Sequence, residues 1–125
     1  MTEANHAAMA RAVIDEYVAA CQVGDVTRLR AIFHNHALLS GYMMGSYLMG
    51  PPTPFFDAVE NLSEQYRQNP DTYQAEISSV EVSGPVASVT LKEVGFMGMN
   101  FTNFFHLARV DDKWLIISKT FNPDS

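Results

Sequence analysis

Asn103-Phe104-Phe105-His106-Leu107-Ala108-Arg109-Val110 and Trp114-Leu115-Ile116-Ile117-Ser118-Lys119-Thr120-Phe121, hinged at Asp111-Asp112-Lys113, read as one long β-hairpin, and that reading decides the fold. Successive side chains of a strand point to opposite faces, and both arms carry apolar residues on both faces. Each face therefore needs a cover. His106, Lys119 and Asn103 are the polar exceptions, and a buried polar side chain without a partner costs roughly 1 to 3 kcal/mol. Function is sought at these three.

Working back from the hairpin, a period of two marks strands over Thr72 to Val82 and Val86 to Phe96, followed by Phe101 to Val110 and Lys113 to Phe121. Ser83-Gly84-Pro85, Met97-Gly98-Met99 and Asp111-Asp112 supply the turns. Upstream the period becomes helical. Ala10, Val13, Ile14, Tyr17, Val18 and Cys21 share one face of a helix from Ala7 to about Gln22, with Arg11, Asp15 and Glu16 opposite. Gly24 stops it, and Asp25 caps a short second helix through Leu29, Ile32 and Phe33. Ala37 to Gly50 reads as a small irregular hairpin. A third helix starts at Thr53-Pro54, with Phe55, Phe56, Val59, Leu62 and Tyr66 on its inner face and Asn69-Pro70 as its stop. Sequential strands usually pair, so the economical arrangement is an α+β cone: three N-terminal helices packed on the concave face of a strongly bent antiparallel sheet.

The 125 residues suit a single domain, 1–125, with residues 1–6 expected to be flexible. A hydrophobic share of 47% and a charged share of 18% are those of a soluble globular protein, and no apolar run approaches a membrane span. Met1 to His6 has neither the basic start nor the apolar core of a signal peptide, which points to the cytoplasm; the glycosylation patterns at Asn61 and Asn100 are then chemically idle. A net charge of −6 without a basic stripe argues against nucleic acid. The lone Cys21, on an apolar helix face, reads as a small core residue.

Taken together, Gly24-Asp25 between two helices, Phe104-Phe105-His106-Leu107, Val110-Asp111-Asp112-Lys113-Trp114 and Ser118-Lys119-Thr120-Phe121 resemble the nuclear transport factor 2-like, or cystatin-like, superfamily. That superfamily includes the SnoaL-type cyclases and the ketosteroid isomerases, and within it the chain looks like the putative lumazine-binding branch. Its members include enzymes, binding modules and transport factors, so the fold does not select a function. The ketosteroid isomerases use a carboxylate base and an oxyanion hole of a tyrosine and a protonated aspartic acid. On that resemblance Tyr17, seven residues before Gly24-Asp25, matches the tyrosine, and His106 falls at the aspartic acid position. The base would stand near Ser40-Gly41, where there is no carboxylate.

The expected site is an apolar pocket for a cyclic or aromatic small molecule. Its proposed lining is Tyr17, Phe33, Tyr42, Phe56, Phe104, His106, Lys119 and Phe121, with Tyr17 and His106 donating hydrogen bonds to a carbonyl or enolate. Lys119, on the pleat face of Ile117 and Phe121, either enters the pocket or lays its stem along the sheet with its ammonium at the rim. His34 and His36 lack a third ligand nearby, so no metal and no cofactor is expected. Met97-Gly98-Met99 reads as an exposed tip. Phe105, Leu107, Ile116 and Val89, with Asn103, are assigned to an outward face that makes a homodimer through the sheet. Binding without turnover is the first reading. An isomerase, cyclase or dehydratase using His106 and Tyr17 is the second, and a dimeric interaction module the third.

Overall fold

The computed structural model describes residues 2–68 and 72–124, the side chains of 62–68 excepted. Three helices, α1 (Glu3–Val23), α2 (Val26–Ile32) and α3 (Thr53–Gln68), pack on a six-stranded sheet of β1 (Phe33–Met43), β2 (Ser46–Gly50), β3 (Gln74–Ser83), β4 (Val86–Phe96), β5 (Met99–Val110) and β6 (Lys113–Pro123). The strand order is β2-β1-β6-β5-β4-β3. Every pairing is antiparallel except β1 with β6, so the sheet is mixed. No helix among the described residues is long and apolar enough to cross a membrane.

Local chemistry sets the helix ends. Asp25 accepts a hydrogen bond from Arg28 N, and Gly24 takes the left-handed conformation that closes α1. Helix α1 opens at Glu3, not Ala7, because Thr2 caps it by accepting from Asn5 N, while Glu3 Oε1 accepts from Gly84 N across the fold. Residues 3–6, expected to be flexible, are thus helical, and His6 is buried edge-on against Trp114. The stretch from Ala37 to Gly50 is a regular hairpin, extended back to Phe33 and tied to β6. Phe55, Phe56 and Val59 of α3 are buried as expected. The side chains of Leu62 and Tyr66, and the stop at Asn69-Pro70, lie outside the described residues.

Which face each strand residue takes follows from the register. On β4 the inward set runs Ala87, Val89, Leu91, Glu93, and on β5 Phe101, Asn103, Phe105, Leu107. On β6 the alternation breaks: His106 pairs with Ser118 but Leu107 with Ile116, so Ile117 is an extra residue, a bulge. Trp114 and Ile116 before it and Lys119 and Phe121 after it all point inward, while Ile117 is exposed. The core therefore lies between the helices and this concave face, where Phe105 is fully buried, a burial worth about 2 to 3 kcal/mol.

This overturns the expected outward face. Phe105, Leu107, Ile116 and Val89 have no exposed surface, and Asn103 is buried with them. A residue-by-residue count along β6 carries Ile117 to the side of Lys119, and the bulge is what separates them.

Candidate functional site

An apolar cavity of about 350 Å³ opens between the β1–β2 hairpin, the start of α3 and the turn between β4 and β5. Leu39, Met43, Leu48 and Met49 form the hairpin wall, Pro54, Phe55 and Ala58 the helix wall, and Phe96, Met97, Phe101 and Phe121 the rest. Met97, expected at an exposed tip, is half-buried and turns into the cavity. Its left-handed backbone, φ 53°, begins the two-residue turn with Gly98. This volume is in the range of pockets for small organic ligands.

Among the described residues, two ionisable side chains line this apolar space, Glu93 and Lys119. Both are buried, with 2% and 4% of their surface exposed. Glu93 is held from two sides: Tyr73 Oη donates to Oε2 at 2.5 Å and Asn103 Nδ2 donates to Oε1 at 2.6 Å. Charge-assisted bonds of this kind are short and strong. Asn103 Oδ1 has no partner among the described residues.

Lys119 Nζ sits among aromatic faces, 3.7 Å from the Phe55 ring centre, 5.3 Å from Tyr17, 5.5 Å from Phe121 and 6.0 Å from Phe96. Ring faces attract a cation, but they replace water poorly. Burial pushes the Lys119 ammonium below its ordinary value, and the nearby Glu93 and Cys21 oppose that shift without cancelling it. Among the described residues the ion pairs within 4.0 Å are Arg28–Glu16 and Arg109–Asp112, so Lys119 and Glu93 act on each other through space without direct contact.

Behind the cavity, Tyr17 stacks on Phe55 and meets Phe105 edge-on. Burial raises its phenol well above the usual range, with Glu93 adding to the effect. Among the described residues its Oη finds the Cys21 thiol, a weak partner. Cys21 is buried too, and burial raises its thiol in the same way, which disfavours the thiolate.

Two close backbone approaches hold the site. A Cβ at Gly41 would lie 2.2 Å from Phe121 O, and one at Gly95 would lie 1.9 Å from Thr72 O. Gly95, with φ +76°, also sits where the β4–β5 register shifts between Glu93 and Phe96, which turns both of those side chains inward.

Of the residues singled out from sequence, Lys119 and Phe121 line the cavity. Tyr17, Phe33 and Phe56 form the buried aromatic layer beneath it. Tyr42 is exposed and packs on Tyr47 at the outer hairpin. Phe104 and His106 are exposed on the convex face, because the residues that alternate with Phe105 must point away from the helices. Tyr17 and His106 therefore do not reach into one pocket. His34 and His36 contact each other, and His36 N donates to His34 Nδ1, at an exposed place.

Sequence reasoning missed Glu93 and Tyr73. The signal for Glu93 was present: it continues the inward series Ala87, Val89, Leu91 at the same two-residue step. Looking for a carboxylate only near Ser40-Gly41 hid it.

Fold and cavity together define a nuclear transport factor 2-like α+β protein. The sequence pattern of the family described as "Putative lumazine-binding" matches residues 5–122, and the chain belongs to that family. An NTF2-like protein from Silicibacter pomeroyi has the same fold, with a TM-score of 0.87 at 28% identity, covering 98% of this chain and 99% of that one. A Streptomyces avermitilis protein described as a "putative dehydratase" from the NTF2-like family superposes with a TM-score of 0.67 at 17% identity, covering 99% of each chain. The aldolase FrzH of a Cladobotryum species is 26% identical over 107 residues, which are 85% of this chain and 82% of that protein.

Proposed function

We propose that this protein binds a small cyclic or aromatic carbonyl compound in the cavity and moves a proton at the carbon next to the carbonyl, the step shared by isomerisation, aldol and dehydration chemistry. The observation that carries this reading is the placement of a carboxylate, Glu93, and an amine, Lys119, in the lining of one apolar cavity. A carboxylate is a suitable base when its proton has a defined path, and an amine in the same lining can draw the developing negative charge toward the carbonyl position. Apolar walls exclude water and strengthen both effects. The aldolase and dehydratase names of two similar proteins agree in reaction class with this reading. His106, first considered for the acid–base role, is replaced by Glu93.

The test is a thermal-shift and native mass spectrometry screen of bicyclic ketones, enones and pteridines. It is followed by α-proton exchange into deuterated water for a bound ketone such as 2-tetralone, read by NMR. Glu93→Gln should slow exchange at least tenfold while His106→Ala leaves it unchanged. Binding without enhanced exchange would reduce the protein to a carrier, the first reading from sequence.

A second reading concerns assembly. Phe104, Ile117, Val86 and Leu38 leave an exposed apolar strip on the convex face of the sheet, with His106 in a shallow groove beside Ser88 and Glu81. This strip, not the Phe105 side, is the surface for a homodimer. Light scattering at micromolar concentration should give a dimer that Phe104→Glu disperses; a monomeric wild-type chain would overturn it.

A further inference from the structure

We infer that Lys119 is a nucleophile that forms an imine with an aldehyde or ketone held in the cavity. The inference deepens the proposed function and rests on its claim that a carbonyl compound enters this space. An ammonium kept only for structure would be expected to pair with a carboxylate or reach water at the rim. Among the described residues Lys119 does neither: its Nζ lies within 6.0 Å of four ring centres, it is 4% exposed, and its residue lines the cavity. Such surroundings favour the neutral amine, the form with a lone pair to give. Among the described residues the charged and titratable groups facing it are Glu93 from β4 and Tyr17 and Cys21 from α1, and Tyr73 is hydrogen-bonded to Glu93.

The step balances within this set. The Nζ lone pair forms the N–C bond as the carbonyl π pair moves to oxygen; one nitrogen proton leaves and the oxygen takes one, giving a carbinolamine. Loss of that hydroxyl with a second proton releases water and leaves C=N. Glu93, on the wall of the same cavity, is the group to carry these protons by way of the bound compound, its oxygens positioned by Tyr73 and Asn103. The apolar walls suit a carbonyl on a ring, and the iminium, a cation, would meet the faces of the rings that surround Nζ.

The chain has three lysines, Lys92, Lys113 and Lys119, and Lys92 and Lys113 are exposed, so the chemistry can be read by site. Intact protein is incubated with benzaldehyde or 2-tetralone and sodium cyanoborohydride near pH 7, then weighed and mapped by peptide mass spectrometry. The expected result is one reduced adduct on Lys119, formed at least tenfold faster than on Lys92 or Lys113. Lys119→Arg, which cannot form the imine, should lose it. Glu93→Gln should slow adduct formation without redirecting it. Mapping the wild-type chain is decisive even if a variant folds poorly. Adducts confined to Lys92 and Lys113, or a ketone that binds by thermal shift yet leaves Lys119 unmodified, would overturn the inference. The second outcome leaves the proposed function standing, whereas no binding of any carbonyl compound removes both.

Discussion

The two faces of the β5–β6 hairpin use similar residues for opposite purposes. Concave Phe105, Asn103 and Lys119 are buried with defined partners, while convex Phe104, His106 and Ile117 are exposed. On the concave side a polar group must be explained by what it touches, since almost none of its surface reaches solvent; on the convex side water satisfies it at no cost. The comparison teaches that a polar residue in an apolar strand carries functional information only once its face is known.

Removing Glu93 strikes the concave face hardest. Glu93→Ala should cost about 3 kcal/mol, because the Tyr73 hydroxyl and Asn103 amide each lose their acceptor in a dry place; a fall in the urea midpoint would measure it. A loss below about 1 kcal/mol would mean that water reaches the site and the two faces differ less than described.

A smaller effect should appear in the pH dependence of stability. Folded Lys119 lies below its ordinary value, whereas the unfolded chain titrates normally. Between the two values the unfolded chain holds a proton that the folded chain does not, so stability rises with pH across that window and is lost as pH falls through the folded value. The slope from one group is at most about 1.4 kcal/mol per pH unit. The raised Cys21 and Tyr17 act oppositely at higher pH, where the unfolded chain loses its proton first. Lys119→Met should flatten the rising limb in thermal melts taken at pH values below the ordinary lysine value of 10.5; an unchanged profile would place the amine in water.

On the convex side, His106→Ala should change stability by no more than about 0.5 kcal/mol. Chemical denaturation would check it, and a large loss would mean that this face is covered.

The helices and strands were legible because burial imposes its period directly on the sequence: Ala10, Ile14, Tyr17 and Cys21 repeat at helical spacing, and Ala87, Val89 and Leu91 at strand spacing. The site was half legible. Lys119 and Phe121 were placed on one face correctly, since no irregularity separates them. His106 and Asn103 were exchanged because hairpin parity fixes which residues share a face, not which face the helices cover. The Tyr73–Glu93–Asn103 contact joins the residue just before β3 to β4 and β5, positions that only the folded sheet brings together.

The bulge at Ile117 acts as a half-period phase shift in the strand. With perfect alternation from Trp114 and Ile116, the next inward residues would be Ser118 and Thr120, and Lys119 and Phe121 would face out. One strand thus stores two alternative linings, one of hydroxyls and one of an amine and a ring, and a single residue of slack selects between them. Within this fold the chemistry of a cavity can change by insertion or deletion of one residue, with no substitution in its walls.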